Sequence, residues 1–376
     1  MTARTAGRTI PGRRKKKFAA ARGLLFQLPK TPRRPGKLGV AKPKKIETRK
    51  KTKRRKPKKI KVAYRRPLGK MLHGFIEDAL ESAHLKNLRG HVNLIFTSPP
   101  FPLVSKKSYG NKVGADYLDW LKGLAPKLAQ LLTPKGSIVI EVGNAWVEGL
   151  PAMSTLPVRA LLAFQEAANL HLCQYVICHN PARLPSPAQW VNVDRVRLKD
   201  SFTHVWWLAK TEHPKASNKR VLLPYSNDMK SLLRRQTYNA GKRPSGHNIS
   251  PRGFLKNHGG AISPSVVSLD ESARIPEALM QLPNTSWDVN YRAYCKERNI
   301  KEHPARMRPE LAGFFITMLT DRNDVVLDPF GGSNTTGAVA DLMGRKWVAV
   351  EQDPGFIRGS LGRFPKRGRP RKARKP

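Results

Sequence analysis

The sequence predicts an α/β fold built on a doubly wound, mainly parallel sheet, and its 376 residues leave room for one large domain with appendages. Short apolar runs alternate with longer segments of helical periodicity, an order typical of crossover connections between parallel strands. The clearest such unit comprises a strand at residues 325–327, a glycine-rich turn, a helix at 335–343 and a strand at 346–350. Open α/β sheets bind ligands beyond the carboxyl ends of their strands, so the residues after each strand are the candidates for a functional site.

The elements before this unit follow the same alternation, and we expect ordered structure to begin near Leu72. Apolar residues recur at helical spacing in three predicted helices, which span residues 73–88, 115–132 and 310–319. Predicted strands span 92–96, 137–142, 172–178 and 205–209. Residues 210–291 lose this pattern and are rich in Pro, Gly, Ser and basic residues. A segment of that length without regular structure is unusual inside a compact domain unless it has a function.

Basic charge is concentrated at the two ends of the chain. Of 71 Lys and Arg in total, 28 lie within residues 1–70 beside one acid, and 9 lie within residues 356–376 beside none. Such segments bury too little apolar surface to fold, so we expect disordered tails with a polyanion as partner. Three scattered cysteines form no disulfide framework and indicate a reducing, intracellular compartment. No apolar run is long enough to span a membrane.

The glycine-rich turn after the strand at 325–327 is the first candidate site. It reads Asp328-Pro329-Phe330-Gly331-Gly332-Ser333-Asn334-Thr335. Paired glycines let the backbone approach a ligand closely, and the helix that follows offers unpaired N–H donors. Glu351 ends the next strand, where an acid accepts hydrogen bonds from ribose hydroxyls. The spacing matches neither the dinucleotide nor the phosphate-loop motif, so the predicted ligand is an adenosyl group without a phosphate chain.

The second candidate site is Thr97-Ser98-Pro99-Pro100-Phe101, which directly follows the strand at 92–96. An exocyclic amine conjugated to a ring is a poor nucleophile, and two acceptors for its N–H bonds would direct its lone pair toward an electrophile. Ser98 and the carbonyl of Pro99 are the candidate acceptors, and the prolines fix the backbone and present no competing donor. Phe101 can stack on a base. Catalysis of this kind rests on proximity and alignment, and it requires no metal.

Together the two motifs resemble those of the DNA amino-methyltransferases, specifically the cytosine-N4 enzymes of type II restriction–modification systems. Residues 97–101 match the pattern T-S-P-P-[YF], and residues 328–336 match D-x-F-G-G-S-N-T-T. The resemblance extends over residues 64–364 and includes shorter matches at 184–187, 243–247 and 303–306. In this chain the catalytic motif precedes the cofactor motif. The resemblance therefore implies the circularly permuted version of the S-adenosylmethionine-dependent methyltransferase fold, with a target-recognition region inserted between the motifs.

The resemblance implies methyl transfer from S-adenosyl-L-methionine to the N4 amine of a flipped-out cytosine in double-stranded DNA. Ser98, Pro99, Pro100 and Phe101 would be catalytic. Implied cofactor contacts are Asp328, Phe330, Gly331, Gly332, Ser333, Asn334, Thr335, Glu351, His303 and Pro304. The implied organisation is a disordered basic tail (1–63), a catalytic half (64–209), a target-recognition region (210–291), a cofactor-binding half (292–364) and a basic tail (365–376).

Basic and aromatic residues in the recognition region and the last tail are the candidate DNA contacts. Arg234, Arg235, Arg243 and His247 lie among aromatic residues that can wedge or stack, while Arg367 and Arg369 belong to an AT-hook-like Arg-Gly-Arg-Pro segment suited to the minor groove. The resemblance adds a cognate restriction endonuclease for the same site as a candidate partner. We expect a cytoplasmic, nucleoid-associated protein of bacterial or phage source, or a nuclear one if the source is eukaryotic.

Two alternatives remain open at this point. Adenine-N6 methyltransferases share the fold, but they typically carry Asp at the position of Ser98. A nonenzymatic nucleoid or chromatin protein on an inactive methyltransferase fold would account for the basic tails. A carbon-5 cytosine enzyme is disfavoured because it requires a nucleophilic Cys, usually after Pro, and no Pro-Cys pair occurs.

Overall fold

The structure is a computed structural model that describes residues 58–101, 114–268 and 284–364, with the backbone alone for 284–287. Its strands are β1 (Lys61–Arg66), β2 (Gly69–His73), β3 (Val92–Thr97), β4 (Leu132–Gly143), β5 (His171–His179), β6 (Phe202–Ala209), β7 (Gly241–Lys242), β8 (Asn248–Ile249), β9 (Val266–Ser268), β10 (Val325–Asp328) and β11 (Lys346–Glu351). Its α-helices are α1 (Ile76–Glu81), α2 (Ala83–Lys86), α3 (Gly114–Ala129), α4 (Leu156–Ala168), α5 (Asn227–Arg235), α6 (Asn284–Glu297), α7 (Pro309–Leu319), α8 (Thr335–Leu342) and α9 (Pro354–Ser360).

Nine of these strands form one sheet in the order β1-β2-β11-β10-β3-β4-β6-β5-β9. The central strands β2, β11, β10, β3 and β4 are mutually parallel, whereas β6 runs antiparallel to both β4 and β5. The unit β10-α8-β11 comes last in the chain but lies at the centre of the sheet, beside β3. Consequently the carboxyl ends of β3, β4, β10 and β11 share one edge, where both sequence motifs begin.

Helices cover both faces of the sheet. On one face α1, α2, α3 and α4 pack their apolar side chains onto the strands, and on the other face α7, α8 and α9 do the same. The helix predicted at 310–319 and the elements of the last βαβ unit are confirmed within one or two residues. The predicted doubly wound, mainly parallel fold is therefore confirmed.

The first ordered residues lie earlier than the sequence predicted. The expected start near Leu72 is wrong. Strand β1 lies wholly before Leu72, strand β2 contains it, and the two strands pair as an antiparallel hairpin. Exposed and half-buried residues alternate along β1, and Tyr64 packs its ring against Trp347 and Phe364 at centroid distances of 6.3 and 6.2 Å. This alternation of period two was hidden in the sequence because the adjoining tail is equally basic.

Other boundaries also differ from the prediction. The helix expected over 73–88 is two helices, α1 and α2, which are separated at Ser82. The breaker cluster at residues 133–136 lies inside β4, where the pairing with β3 shifts its register. Helices α4 and α9 were not predicted. None of the described helices is both long and apolar enough to cross a membrane.

The middle of the chain is not a separate body of loops. Its strand β9 joins the main sheet beside β5, and Val221 belongs to the core under α7. A small hairpin of β7 and β8 and the exposed helix α5 occupy the rest of the described part. The expected boundary at Tyr291 falls within α6, where that side chain is fully buried. The predicted disordered basic tail (1–63) is wrong at residues 61–63, which belong to β1. Residues 1–57 of that tail, and the basic tail at 365–376, lie outside the described residues.

Candidate active site

A cleft of about 540 Å³ opens at the carboxyl edge of the sheet. It lies within the range of roughly 300 to 1,000 Å³ that is typical of small-molecule sites. The segments that line it come from both halves of the chain and are residues 74–77, 98–101, Trp120, His303, Ala305, Met307, 328–333, 335–336, 350–354 and Phe356. The cleft thus brings the two predicted motifs together.

A buried hydrogen bond joins the two motifs at the floor of the cleft. The Thr97 hydroxyl donates to Asp328 Oδ1 at 2.7 Å, and the Phe330 amide donates to the same oxygen at 3.0 Å. Burial raises the pKa of the Asp328 carboxyl, and the donors Thr97, Thr336 and the Phe330 amide oppose that shift. Asp328 lines the cleft, but its Oδ1 atom is used to connect strands β3 and β10.

The glycine turn is shaped to admit a ligand. Gly332 has a φ of +50°, and a Cβ added there would lie 3.0 Å from His303 Nε2. The Gly332 amide donates to Glu351 Oε2 at 2.7 Å, and the Asp353 amide donates to Glu351 Oε1 at 2.8 Å. Burial raises the pKa of Glu351, while these amides favour its charged form. The Gln352 amide also bonds this carboxylate. An ionised carboxylate accepts about four hydrogen bonds, so Glu351 retains capacity for a ligand hydroxyl.

His303 forms the opposite wall of this turn. Burial lowers the pKa of its imidazole to about 4, so the ring is neutral at physiological pH. Its ring lies 4.4 Å from that of Phe356, and its backbone N–H donates to the Tyr291 hydroxyl at 3.0 Å. The adjacent Pro304 is exposed and does not line the cleft. The structure does not bring Pro304 into the cleft lining, and its contact with a cofactor stays a prediction.

Asn334 is also oriented differently from the expectation. Its backbone adopts a φ of +57° at the start of α8, which turns the side chain into the protein interior. There Asn334 Nδ2 donates to the Tyr64 hydroxyl at 2.9 Å, and the side chain packs directly on Gly337. Asn334 therefore supports the turn from behind, whereas Ser333 and Thr335 line the cleft.

An ion-pair network that sequence reasoning missed holds the two sides of the cleft together. Arg363 is buried and donates to Asp288 Oδ1 at 3.0 Å and to the Ser333 hydroxyl at 3.1 Å. Arg306 donates to both Asp288 oxygens at 3.1 and 3.0 Å and to the His303 carbonyl at 2.9 Å. Because Asp288 lies between two guanidinium groups, it couples the glycine turn to the His303 segment.

The proline motif forms the other half of the cleft, and Ser98, Pro99, Pro100 and Phe101 all line it. The Ser98 hydroxyl is hydrogen-bonded to the carboxylate of Glu141, to which Thr203 also donates at 2.9 Å. Burial raises the pKa of Glu141, whereas Thr203, the Arg183 charge and Ser98 oppose this shift.

Phe101 packs so closely against β4 that a Cβ on Gly143 would come within 2.6 Å of its ring. Only glycine at that position lets the ring settle there.

Glu141 is the main functional residue that the sequence analysis did not identify. It is the one charged residue in the apolar strand segment at 137–142, and an acid in a buried strand was an available signal. Trp120 was also missed. Its indole N–H donates to Glu77 Oε1 at 2.7 Å, and its ring lies 5.5 Å from that of Phe330. This arrangement closes the cleft beside the glycine turn.

Comparison with known proteins agrees with this geometry. The profile of the family described as DNA methylase matches residues 92–361. The chain is also 40% identical over 306 residues to Type II methyltransferase M.PvuII of Proteus hauseri, covering 81% of this chain and 86% of the relative. The chain belongs to the DNA methylase family.

Two further relatives extend the comparison of this methylase. Type II methyltransferase M.BamHI of Bacillus amyloliquefaciens is 25% identical over 308 residues, which are 78% of this chain and 56% of the relative. The solved structure of a PvuII DNA methyltransferase, described as cytosine-N4-specific, superposes with a TM-score of 0.60 and 33% identity. That match covers 82% of this chain and 90% of the solved chain. The methyltransferase fold expected from the motifs is confirmed.

The candidate DNA contacts of the methylase lie away from the cleft lining. Arg234 and Arg235 end helix α5, and Arg243 and His247 lie in the β7–β8 hairpin, where the Arg243 amide donates to the His247 carbonyl at 2.8 Å. The side chains of Arg243 and His247 face one shallow, open depression. Arg367 and Arg369 lie outside the described residues.

Proposed function

We propose that this methylase transfers a methyl group from S-adenosyl-L-methionine to the N4 amine of a flipped-out cytosine in double-stranded DNA. The observation that carries the proposal is that the proline motif, Ser98 to Phe101, lines the same cleft as the glycine turn, with Thr97 bonded to Asp328 between the two motifs. The 40% identical relative and the cytosine-N4-specific solved relative support the same assignment.

The residues at the cofactor side fit an adenosyl ligand. Gly331 and Gly332 leave the turn without side chains where a Cβ would meet Met71, Ala349 or His303 within 3.4 Å. Glu351 would accept a ribose hydroxyl, and Phe330 with the neutral His303 would enclose the remainder. When bound, S-adenosyl-L-methionine supplies an electrophilic methyl group on a positively charged sulfur.

The chain's own residues prepare the amine. Because the Ser98 hydroxyl donates its proton to Glu141, both lone pairs of Ser98 Oγ are free to accept an N–H of the amine. The Pro99 carbonyl accepts the second N–H, and the fixed φ of the prolines keeps that carbonyl in place. These two acceptors orient the nitrogen lone pair toward the methyl group. When the nitrogen–carbon bond forms and the carbon–sulfur bond breaks, S-adenosyl-L-homocysteine would be the leaving group, and the amine would lose one N–H proton during or after the transfer because Ser98 is not a strong base.

Phe101 provides the surface on which the base rests. Stacking of a base on an aromatic ring contributes about 1 to 3 kcal/mol. This offsets part of the few kcal/mol that are needed to take a base out of the duplex. The ring is held in position by its contact with the backbone of Gly143, so little ordering is required when the base arrives.

We place the partner duplex on the basic middle of the chain. Arg234, Arg235, Arg243 and His247 are offered as target-recognition contacts within residues 210–291, and Arg367 and Arg369 as minor-groove contacts of the last tail. A cognate restriction endonuclease for the same site and association with the nucleoid remain predictions. Cloning the neighbouring genes and testing their products for a nuclease that is toxic without this methylase would test the endonuclease. Fractionation of the nucleoid would test the association with it.

The function is tested by expressing the chain in a host that lacks DNA methylation and analysing its DNA by nucleoside mass spectrometry. We expect N4-methylcytosine, and methylation-sensitive sequencing then gives the recognition sequence. N6-methyladenine alone would overturn the base assignment. DNA binding without any methyl transfer would favour the nonenzymatic alternative.

Ser98→Ala serves as the matched control for that experiment. It removes the acceptor but no cofactor contact, so methylation should fall below detection while the affinity for S-adenosylmethionine, measured by calorimetry, stays close to that of the wild type. Full methylation by this variant would contradict the role given to Ser98.

A further inference from the structure

The loop of residues 180–201, here called the edge loop, leaves the sheet beside the catalytic group. It connects β5 to β6 at the carboxyl edge, where His179 pairs with Phe202 and Gly143 pairs with Thr203. Thr203 is the residue that donates to Glu141. The last residue of the edge loop, Ser201, is therefore two positions from Thr203, which belongs to the hydrogen-bond network around Glu141.

Side chains at the root hold the edge loop in one conformation. The Asn180 amide donates to the Ser201 carbonyl at 2.7 Å and closes the loop. Asp200 is buried and accepts a hydrogen bond from Asn144 Nδ2 at 2.5 Å, which ties the loop to the segment after β4. Arg183 donates to the Phe202 carbonyl at 3.0 Å. These bonds join the loop to itself, to the segment after β4 and to the first residue of β6, so the loop is fixed relative to the cleft.

Residues 195–199, which are here called the tip of the edge loop and directly precede the buried Asp200, present apolar side chains to solvent. The Arg197 guanidinium stacks on the Trp146 ring at 3.2 Å, and its neighbours Val196 and Leu198 are left 62% and 89% exposed. Leu198 is more exposed than any other large apolar side chain of the described residues. Such exposure on a well-anchored loop indicates a surface that is covered by a partner.

We infer that the tip of the edge loop, with Leu198 and Val196, inserts into the DNA stack next to the flipped cytosine and fills the space that the base leaves. This inference rests on the proposed function. Proteins that distort DNA commonly insert apolar side chains between base steps, where the lost stacking is replaced by contact with the wedge. A base delivered to Ser98 has to leave the duplex within reach of this edge, and the edge loop is the anchored apolar element that adjoins it.

Charge on the loop favours DNA over a protein partner. Arg195 and Lys199 are exposed on either side of Val196 and Leu198. Lys199 Nζ donates to the Pro181 carbonyl at 2.7 Å and keeps two further N–H donors, so both residues can contact phosphates that flank the flipped base. Arg195 holds a φ of +53°, and the Val196 amide bonds the Trp190 carbonyl at 3.0 Å, so the basic and apolar side chains are presented together. An apolar surface that bound another protein would not require this basic margin.

The test uses the full chain and a duplex with its recognition sequence, prepared in two forms. In one the target cytosine is paired with guanine, and in the other it faces an abasic site, so that flipping is already easy. We expect Val196→Ser/Leu198→Ser to slow single-turnover methyl transfer by at least about tenfold on the paired duplex, with most of the loss recovered on the abasic duplex. 2-Aminopurine at the target position should report correspondingly less flipping.

Two control variants sharpen the result. Leu342→Ser alters a 51% exposed leucine at the end of α8 and should change neither rate by more than about twofold. Leu198→Met keeps an apolar side chain and should retain most of the wild-type rate on paired DNA. Unchanged transfer by the double serine variant, or an equal loss on both duplexes, would overturn the wedge.

A further outcome concerns another occupant of the tip. Concentration-dependent dimerisation that the double serine variant abolishes would assign the tip to a second copy of the chain and would also overturn the wedge. Absence of N4-methylcytosine with the wild-type chain on either duplex would instead refute the proposed function. The two failures are therefore distinguishable.

Discussion

Glu141→Gln is the perturbation that most directly tests how the amine is prepared. In the structure the Glu141 carboxylate accepts the Ser98 hydroxyl, and so leaves the Ser98 lone pairs available to the amine. A neutral glutamine has nearly the same shape and still offers one carbonyl oxygen. Its NH2 group, however, competes for the lone pairs of Ser98 or Thr203.

The expected magnitude follows from the change in hydrogen-bond type. Hydrogen bonds to charged groups contribute about 1.5 to 3 kcal/mol and neutral ones about 0.5 to 1.5 kcal/mol, so the substitution weakens the Ser98 interaction by roughly 1 to 1.5 kcal/mol. At about 1.4 kcal/mol per factor of ten, methyl transfer should slow by roughly five- to twelvefold. Cofactor affinity should be unaffected, because Glu141 does not line the cleft.

The pH dependence provides a second readout. Burial raises the pKa of Glu141, and its protonated form offers Ser98 only a neutral carbonyl acceptor, which is weaker than the carboxylate. The wild-type rate should therefore fall as pH is lowered through that raised pKa, and recover as pH rises. Glutamine does not titrate, so this acid limb should be absent from the single-turnover pH profile of the variant.

Thr203→Val is the matched control. It removes the other side-chain donor to Glu141, at 2.9 Å, while leaving the Ser98 contact in place. We expect a smaller rate loss and a retained acid limb. If Glu141→Gln methylates as fast as the wild type with an unchanged pH profile, the role assigned to the carboxylate is refuted.

Two further predictions concern the cofactor side. Gly332→Ala should lower the free energy of unfolding by about 1 to 2 kcal/mol, because alanine is strained at the positive φ of this residue. Gly90→Ala is the matched control: it should cost a similar amount, since Gly90 has a φ of +74° and open space around it. Only Gly332→Ala should also weaken S-adenosylmethionine binding in calorimetry, because its Cβ displaces His303; equal weakening in both would contradict the turn geometry.

His303 has a folded pKa of about 4, below its ordinary value of 6.5, so the unfolded chain binds more protons between those values and stability falls as pH drops. Urea titrations should show about 2 kcal/mol lost between pH 6.5 and 5 relative to His303→Gln, and parallel curves for the two proteins would exclude this linkage.

Local pattern was sufficient for much of this protein. The βαβ unit at the end of the chain and the strand before Ser98 were predictable because strand and helix periodicity is written in neighbouring residues. The motif residues also placed both sites correctly at the carboxyl ends of strands, since a parallel sheet gathers those ends at one edge. The same reading of periodicity failed at β1, because the alternation of exposed and half-buried residues there is weak and the neighbouring residues are basic.

The directions in which side chains point could not be predicted from the pattern of neighbouring residues. Asn334 belongs to the cofactor motif by sequence, yet its positive φ turns it onto Tyr64 and Gly337. Arg363 lies outside every motif and nevertheless supports Ser333. Both outcomes depend on backbone torsion and on packing between elements, neither of which the motif spacing encodes.

The fold class and the two motifs, with the chemistry that their residue types allow, can be read from the order of the residues alone. The contact of Glu141 with Ser98, the hydrogen bond of Thr97 to Asp328 across 231 residues and the position of the edge loop beside them arise when the chain folds. The physical reason is that these contacts are made by strand order. Strands β3, β4, β6 and β10 are distant in the chain, and hydrogen bonding within one sheet makes them neighbours.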